Sequence, residues 1–254
     1  MDNIKYSPAG DQGVVINFGD RISENINQKI YSAVNQINTV GVKGVIEVIP
    51  SYTSLLVIYD RHKISYAKLQ KKLEILIQNL KTDAEQKTRI HHIPVCYEGK
   101  YALDIEDVAK HCGLSTDEII NIHTGTDYLI YMLGFLPGFV YLGGMDERIE
   151  CPRLTTPRTK IPAGGVGIGG KQTGIYPLES PGGWRIIGQT PIKVYDPQRN
   201  PSILYSMGEK IRFYRISEKE YEDIKSRVLA GSYAHKVTEE SMTDALINNR
   251  VGED

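Results

Sequence analysis

Cysteine is scarce in this chain: three residues, Cys96, Cys112 and Cys151, among 254. An odd count spaced without any C-x-x-C pair does not build a disulfide framework or a zinc site, and it fits a reducing compartment. An excess of either charge is also missing, since 30 Lys and Arg face 31 Asp and Glu. Without a basic surplus to neutralise phosphates, a general nucleic-acid binder is not expected. The sequence has no H-x-x-x-H and no G-x-S-x-G, so neither a metal centre nor a serine hydrolase is indicated. His91 and His92 are adjacent on one expected strand and face opposite sides, which prevents both from ligating one ion. The N-terminal MDNIKYSPAG lacks the basic start and apolar core of a secretory signal, so a cytoplasmic location is expected.

An unbroken apolar run is the remaining absence. The nearest approach is YMLGFLPGFVYLGG, Tyr131 to Gly144, which carries no charge but holds four glycines and Pro137. Those residues would leave helical hydrogen bonds unmade in lipid, so no membrane span is expected. The stretch reads as a buried strand leaving through a Gly-Pro turn. Phe135, Phe139 and Tyr141 are then gathered at its end as the wall of a pocket, with Phe135 and Phe139 expected to be partly exposed at its mouth.

The first ninety residues punctuate cleanly. VVINF alternates as a strand, and Ser23 opens a helix with Ile26, Ile30, Val34 and Ile37 on one face and Gly41 just beyond it. GVIEVI and SLLVIY read as a hairpin around Pro50 to Thr53. Ser65 opens a second helix carrying Leu69, Leu73, Leu76 and Leu80, and RIHHIPVCY is a further strand. The order βαββαβ predicts a ferredoxin-like unit over residues 1–88. A small helical insert follows, with Asp104 and Ser115 as candidate caps.

Beyond Gly125 the composition changes. Fifteen of the 24 glycines lie between Gly125 and Gly208, and nine of the 12 prolines between Pro137 and Pro201. Short strands separated by such turns predict a closed β-barrel over residues 89–230, making the whole chain α+β. Residues 231–254 are polar and are expected to be a flexible tail.

Within this half, GVGIGG (Gly165 to Gly170) has dinucleotide-loop spacing, and with Lys171 it nearly completes a phosphate-binding loop. KQTGIYPLESPGG, which follows, cannot be a helix, so close-packed strands are the better reading. In CPRLTTPRTKIPAGG, prolines fix Arg153, Arg158 and Lys160 in one loop, a pattern suited to carboxylate or phosphate, though also to a solvated basic face. Trp184 follows a Gly-Gly turn and precedes Arg185. It suits a stacking platform or a barrel plug. His123 ends a short helix before the pocket strand, where a histidine serves either as a catalyst or as a hydrogen-bonded structural residue.

Taken in order, AGDQGVVINFG, GVIEVIPSYTSLLVIYD, IPVCYEG, YMLGFLPGFVYLGG, PRLTTPRTKIPAGGVGIGGKQTGIYP and SPGGWRIIGQTP resemble the 5-oxoprolinase B-subunit family. That family includes the kinase inhibitor KipI and chains labelled allophanate hydrolase subunit 1. The resemblance spans about Lys5 to Ile216. It implies a cyclophilin-like barrel, assembly with the KipA-like C-subunit and the A-subunit of 5-oxoprolinase, and ATP-dependent opening of 5-oxoproline to L-glutamate, with Mg2+ accompanying the ATP. A KipI-type member would instead bind a sensor histidine kinase and block its autophosphorylation. The family's motifs fall on His123, Arg153 and Arg158, which with Lys160 of the proline-fixed loop are the candidate catalytic residues. They also fall on Phe135, Phe139, Gln172, Tyr176 and Trp184, which with the neighbouring Arg185 are the candidate substrate-binding ones, with no metal ligands.

Overall fold

The computed structural model describes residues 4–80 and 87–241. The chain divides into two compact units, Met1–Glu85 and Gln86–Asp254.

In the first unit, β1 (Lys5–Ala9), β2 (Gly13–Asn17), α1 (Glu24–Val40), β3 (Val45–Pro50), β4 (Ser54–Tyr59) and α2 (Tyr66–Gln78) follow one another. The strands form an antiparallel sheet in the order β1-β2-β4-β3. The cap residues act as their chemistry dictates. Ser23 accepts a hydrogen bond from Ile26 N–H, and Gly41, left-handed at φ 61°, donates its N–H to Ile37 O. α1 buries Ile30, Ala33 and Ile37, and β2 and β4 bury Val14, Ile16, Leu55 and Val57. α2 buries Leu69, Leu73 and Ile77, so its inward face runs through Ile77 rather than Leu76.

The expected βαββαβ order is not what forms. The strand RIHHIPVCY, expected to complete this sheet, pairs in the second unit. Its place in the first unit's strand count is taken by β1, which closes a hairpin on β2 and gives ββαββα. Pro8 hides β1 in the sequence, but at a sheet edge a missing N–H costs little.

The second unit contains β5 (Lys87–Cys96), α3 (Ile105–Cys112), α4 (Thr116–Thr124), β6 (Asp127–Leu133), β7 (Val140–Gly143) and β8 (Arg158–Ile161). It continues with β9 (Gly165–Gly169), β10 (Gln172–Ile175), β11 (Ser180–Gly182), β12 (Arg185–Gln189), β13 (Lys210–Ile216), α5 (Glu218–Leu229) and β14 (Val237–Ser241). Seven strands close a barrel in the order β5-β12-β9-β10-β7-β6-β13, and the parallel pairing of β13 with β5 returns to the start. β12 reaches β5 only at its end, where Gln189 pairs with Cys96. β14 pairs with the first half of the same strand, from Lys87 to His91. Residues 237–241 are thus a paired strand rather than part of a flexible tail, because the barrel leaves that stretch of β5 with free hydrogen-bonding groups. Residues 242–254 of the expected tail lie outside the described residues.

The barrel interior is filled by Ile93, Val95, Tyr128, Ile130, Val140, Val166, Ile168, Ile187 and Phe213 among others. β8 and β11 form a separate two-stranded ribbon. Among the described residues, no helix is long and apolar enough to cross a membrane.

Candidate functional site

The GFLPGF segment connects β6 to β7 through a tight loop. Phe139 N–H donates to Leu136 O at 2.9 Å, and Gly134 N–H donates to Phe139 O at 3.2 Å. The loop turns at Gly138 with φ 80° and at Phe135 with φ 66°. A bulky residue in the left-handed region is uncommon and costs free energy. The consequence is that the two phenylalanines separate: Phe139 is 2% exposed and Phe135 is 66% exposed. The expectation that both line an open mouth is corrected for Phe139, whose position leading directly into β7 points it into the core.

Phe139 is the hub of an aromatic cluster. Its ring lies 5.1 Å from Tyr176 and 5.4 Å from Trp184, both nearly perpendicular, and 5.0 Å from Tyr141. The exposed Phe135 ring stands edge-on to it at 5.5 Å. Perpendicular rings at these separations are the favoured arrangement of aromatic quadrupoles. The glycine run supplies the space. GVGIG is the strand β9, and a Cβ on Gly169 would lie 2.5 Å from Trp184 Nε1. Trp184, itself buried, therefore packs directly on the β9 backbone.

The cations of the proline-fixed loop have different fates. Arg158 donates twice to Asp104, at 2.7 and 2.6 Å, and the same buried carboxylate accepts from Ile186 N–H at 2.6 Å. Asp104 is thus spent on this pair and makes no side-chain cap to α3. Arg185 donates to Pro152 O at 3.1 Å and pairs with Asp107 at 3.3 Å. Lys160 pairs with Glu179 at 3.1 Å, with both side chains exposed. Lys171 sits 3.7 Å from both Glu147 and Glu150. Arg153 is different. Its guanidinium lies 5.8 Å over the Trp184 ring, and among the described residues it has no carboxylate within ion-pairing distance. Burial pushes the Tyr141 and Tyr176 hydroxyls up, and the nearby Arg153 charge opposes that rise.

His123 lies elsewhere, fully buried in the barrel. Its Nδ1 is 2.8 Å from the Tyr97 hydroxyl and its Nε2 is 2.9 Å from Thr173 Oγ1. The ring stacks on Phe213 at 4.7 Å. Burial pushes its pKa down to about 3, so it is neutral at physiological pH. Gln172 opens β10 and is half-buried.

The structure therefore gathers Phe139, Tyr176 and Trp184 into a buried aromatic cluster, with the exposed Phe135 and Arg153 each set against it. It places His123 inside the barrel and pairs Arg158, Lys160 and Arg185 with carboxylates. Tyr141, grouped with Phe135 and Phe139 in the sequence but not among the candidate site residues, packs half-buried against the same cluster. Two residues beyond Phe139, it shares that residue's side of the strand. The exposed pair of Arg153 and Phe135 can offer a ligand a guanidinium for its carboxylate and a ring for its apolar part.

The carboxyltransferase domain, subdomain C and D, family matches residues 4–205. The 5-oxoprolinase B-subunit of Bacillus subtilis (strain 168) is 44% identical over 227 residues, covering 85% of this chain and 94% of that protein. The 5-oxoprolinase B-subunit of Escherichia coli O157:H7 is 35% identical over 211 residues, 83% of this chain and 94% of that one. Among solved structures, the K. lactis urea amidolyase aligns with 98% of this chain at a TM-score of 0.81 and 23% identity. The chain spans 17% of that enzyme, and the likeness is one of fold.

Proposed function

This chain belongs to the 5-oxoprolinase B-subunit family, within the carboxyltransferase domain, subdomain C and D, and on that premise we propose that it is one component of an ATP-dependent 5-oxoprolinase. With the A- and C-subunits it opens 5-oxoproline to L-glutamate. The observation that carries the reading to residues is Arg153, a guanidinium on an indole face with no carboxylate of its own among the described residues. The substrate is a small cyclic amide bearing a carboxylate, so it needs one cation and one dry surface. Arg153 supplies the first. The exposed Phe135 ring, backed by the buried cluster around Phe139, supplies the second, and excluding water strengthens the ion pair.

An amide is a poor electrophile, and ATP with Mg2+ supplies the phosphoryl group that turns its oxygen into a leaving group. The chain's own glycine run does not fit the nucleotide phosphates. β9 is extended, no helix N-terminus follows it, and Lys171 lies between two carboxylates. In this reading the nucleotide belongs to a partner protein of the complex, while this chain binds and orients the substrate. The exposed, strained Phe135 is the contact that the C-subunit covers.

The test is reconstitution of the full chain with the A- and C-subunits, followed by glutamate release from 5-oxoproline and ATP. Arg153→Ala is expected to lower kcat/KM for 5-oxoproline by about 100-fold, the scale of one charge-assisted contact. Turnover within about twofold of wild type removes Arg153 from the site. Absence of glutamate release from the wild-type mixture, with blocked autophosphorylation of a sensor histidine kinase instead, replaces the enzyme reading with the inhibitor one.

A further inference from the structure

In the first unit, α2 presents two unlike faces. Leu69, Leu73 and Ile77 face the core, whereas Lys68, Lys71, Lys72 and the 53%-exposed Ile75 line a cavity of about 370 Å3. Lys43, Lys63 and Ile64 complete its lining. Five lysines thus line the cavity together with two isoleucines. Lys63 lies 3.5 Å from Asp60, but Lys43, Lys68, Lys71 and Lys72 have no carboxylate within ion-pairing distance among the described residues.

This arrangement works against the helix that carries it. Lys68 lies three residues from Lys71 and four from Lys72, spacings at which like charges repel. The first turn of α2 contains Lys68 and no acidic residue, although the helix dipole favours an anion there. The only carboxylate on α2, Glu74, is held by Gln70 at 2.8 Å. An external anion would relieve both conflicts.

The lining also indicates what kind of anion. Ile64 is buried and Ile75 is half-exposed, so the apolar part of the lining is a small patch that one protruding aliphatic side chain can cover. No aromatic ring lines it, so nothing offers a stacking surface to a base. Lysines on flexible stems supply charge without the fixed fork or the backbone amides that cradle a phosphate. We propose that this lysine-rimmed depression docks an acidic segment of another protein, which inserts one aliphatic side chain onto Ile64 and Ile75. Complementary charge steers the segment in, and the buried aliphatic group sets how long it stays.

The probe is a fluorescein-labelled, glutamate-rich helical peptide with a single leucine stripe, titrated against the full chain by anisotropy. Wild type is expected to bind it. The triple variant Lys68→Glu, Lys71→Glu, Lys72→Glu should weaken binding about tenfold or more, and Ile75→Ser about fivefold, with unchanged circular dichroism. A peptide with glutamine in place of leucine should also bind about fivefold more weakly. Equal binding of the two peptides, or insensitivity to Ile75→Ser, reduces the site to charge adhesion and overturns the proposal. It is likewise overturned if the leucine peptide fails to bind at low salt. Stoichiometric displacement of the peptide by tripolyphosphate would overturn it in favour of a small-anion site. Binding of phosphatidylserine vesicles with the same lysine dependence would overturn it in favour of a membrane surface.

Discussion

Replacing Arg158 by alanine is expected to destabilise the chain rather than disarm a site. Asp104 is 3% exposed, and its carboxylate accepts three hydrogen bonds, two from Arg158 and one from Ile186 N–H. Alanine removes two of those three and the countercharge, leaving an anion in the protein interior. Breaking a buried pair from one side costs about 3–5 kcal/mol. Because the Arg158 side chain is 30% exposed, water can enter the vacated space, so the lower end, about 3 kcal/mol, is expected. For a unit of this size that lowers Tm by roughly 6–12 °C. The assay is thermal unfolding at neutral pH of wild type, Arg158→Ala, Asp104→Ala and the double variant. The double should be less destabilised than the sum of the singles by about 2 kcal/mol, since it leaves no unpaired charge. If Arg158→Ala melts within about 2 °C of wild type while the reconstituted complex loses about 100-fold in activity, the guanidinium serves the substrate and the structural reasoning is wrong.

Two further expectations concern the interior. His123 has its pKa pushed down to about 3 by burial, from an ordinary value near 6.5, so the unfolded chain binds the proton more tightly than the folded one. Its contribution to stability is therefore present above pH 6.5 and is lost as pH falls, by about 2 kcal/mol at pH 5. Wild type should lose this much relative to His123→Gln in denaturant titrations at pH 7 and pH 5, and parallel losses would refute the buried neutral ring. The two phenylalanines should part company. Phe139→Ala should cost about 3–5 kcal/mol by chemical denaturation, whereas Phe135→Ser should leave stability nearly unchanged and weaken association with the C-subunit in a pull-down titration. Equal effects of the two on Tm would contradict their opposite burial.

Local chemistry was legible where a residue's role depends on its near neighbours. Ser23 and Gly41 bracket α1 because a cap bonds within one turn of itself. GVGIGG could be read as strand rather than phosphate loop because the prolines downstream forbid the required helix. The alternation of SLLVIY marks β4 because one side of a sheet must face the core. The aromatics Phe135, Phe139 and Trp184 do meet, but as a cluster buried except for Phe135 rather than as an open wall.

Other assignments required the tertiary structure because they are settled between residues far apart in the chain. RIHHIPVCY has the alternation of a strand for either unit. It pairs with β13, more than a hundred residues later, and no local signal specifies a partner at that distance. The three cations of the proline-fixed loop looked equivalent, yet Asp104 and Glu179 claim Arg158 and Lys160, as Asp107 claims Arg185, and of these four Arg153 alone is left over an aromatic ring. Phe135 and Phe139 differ only in which side of one turn they occupy. The backbone angles of that turn, set by closure of the barrel between β6 and β7, put one in water and the other in the core.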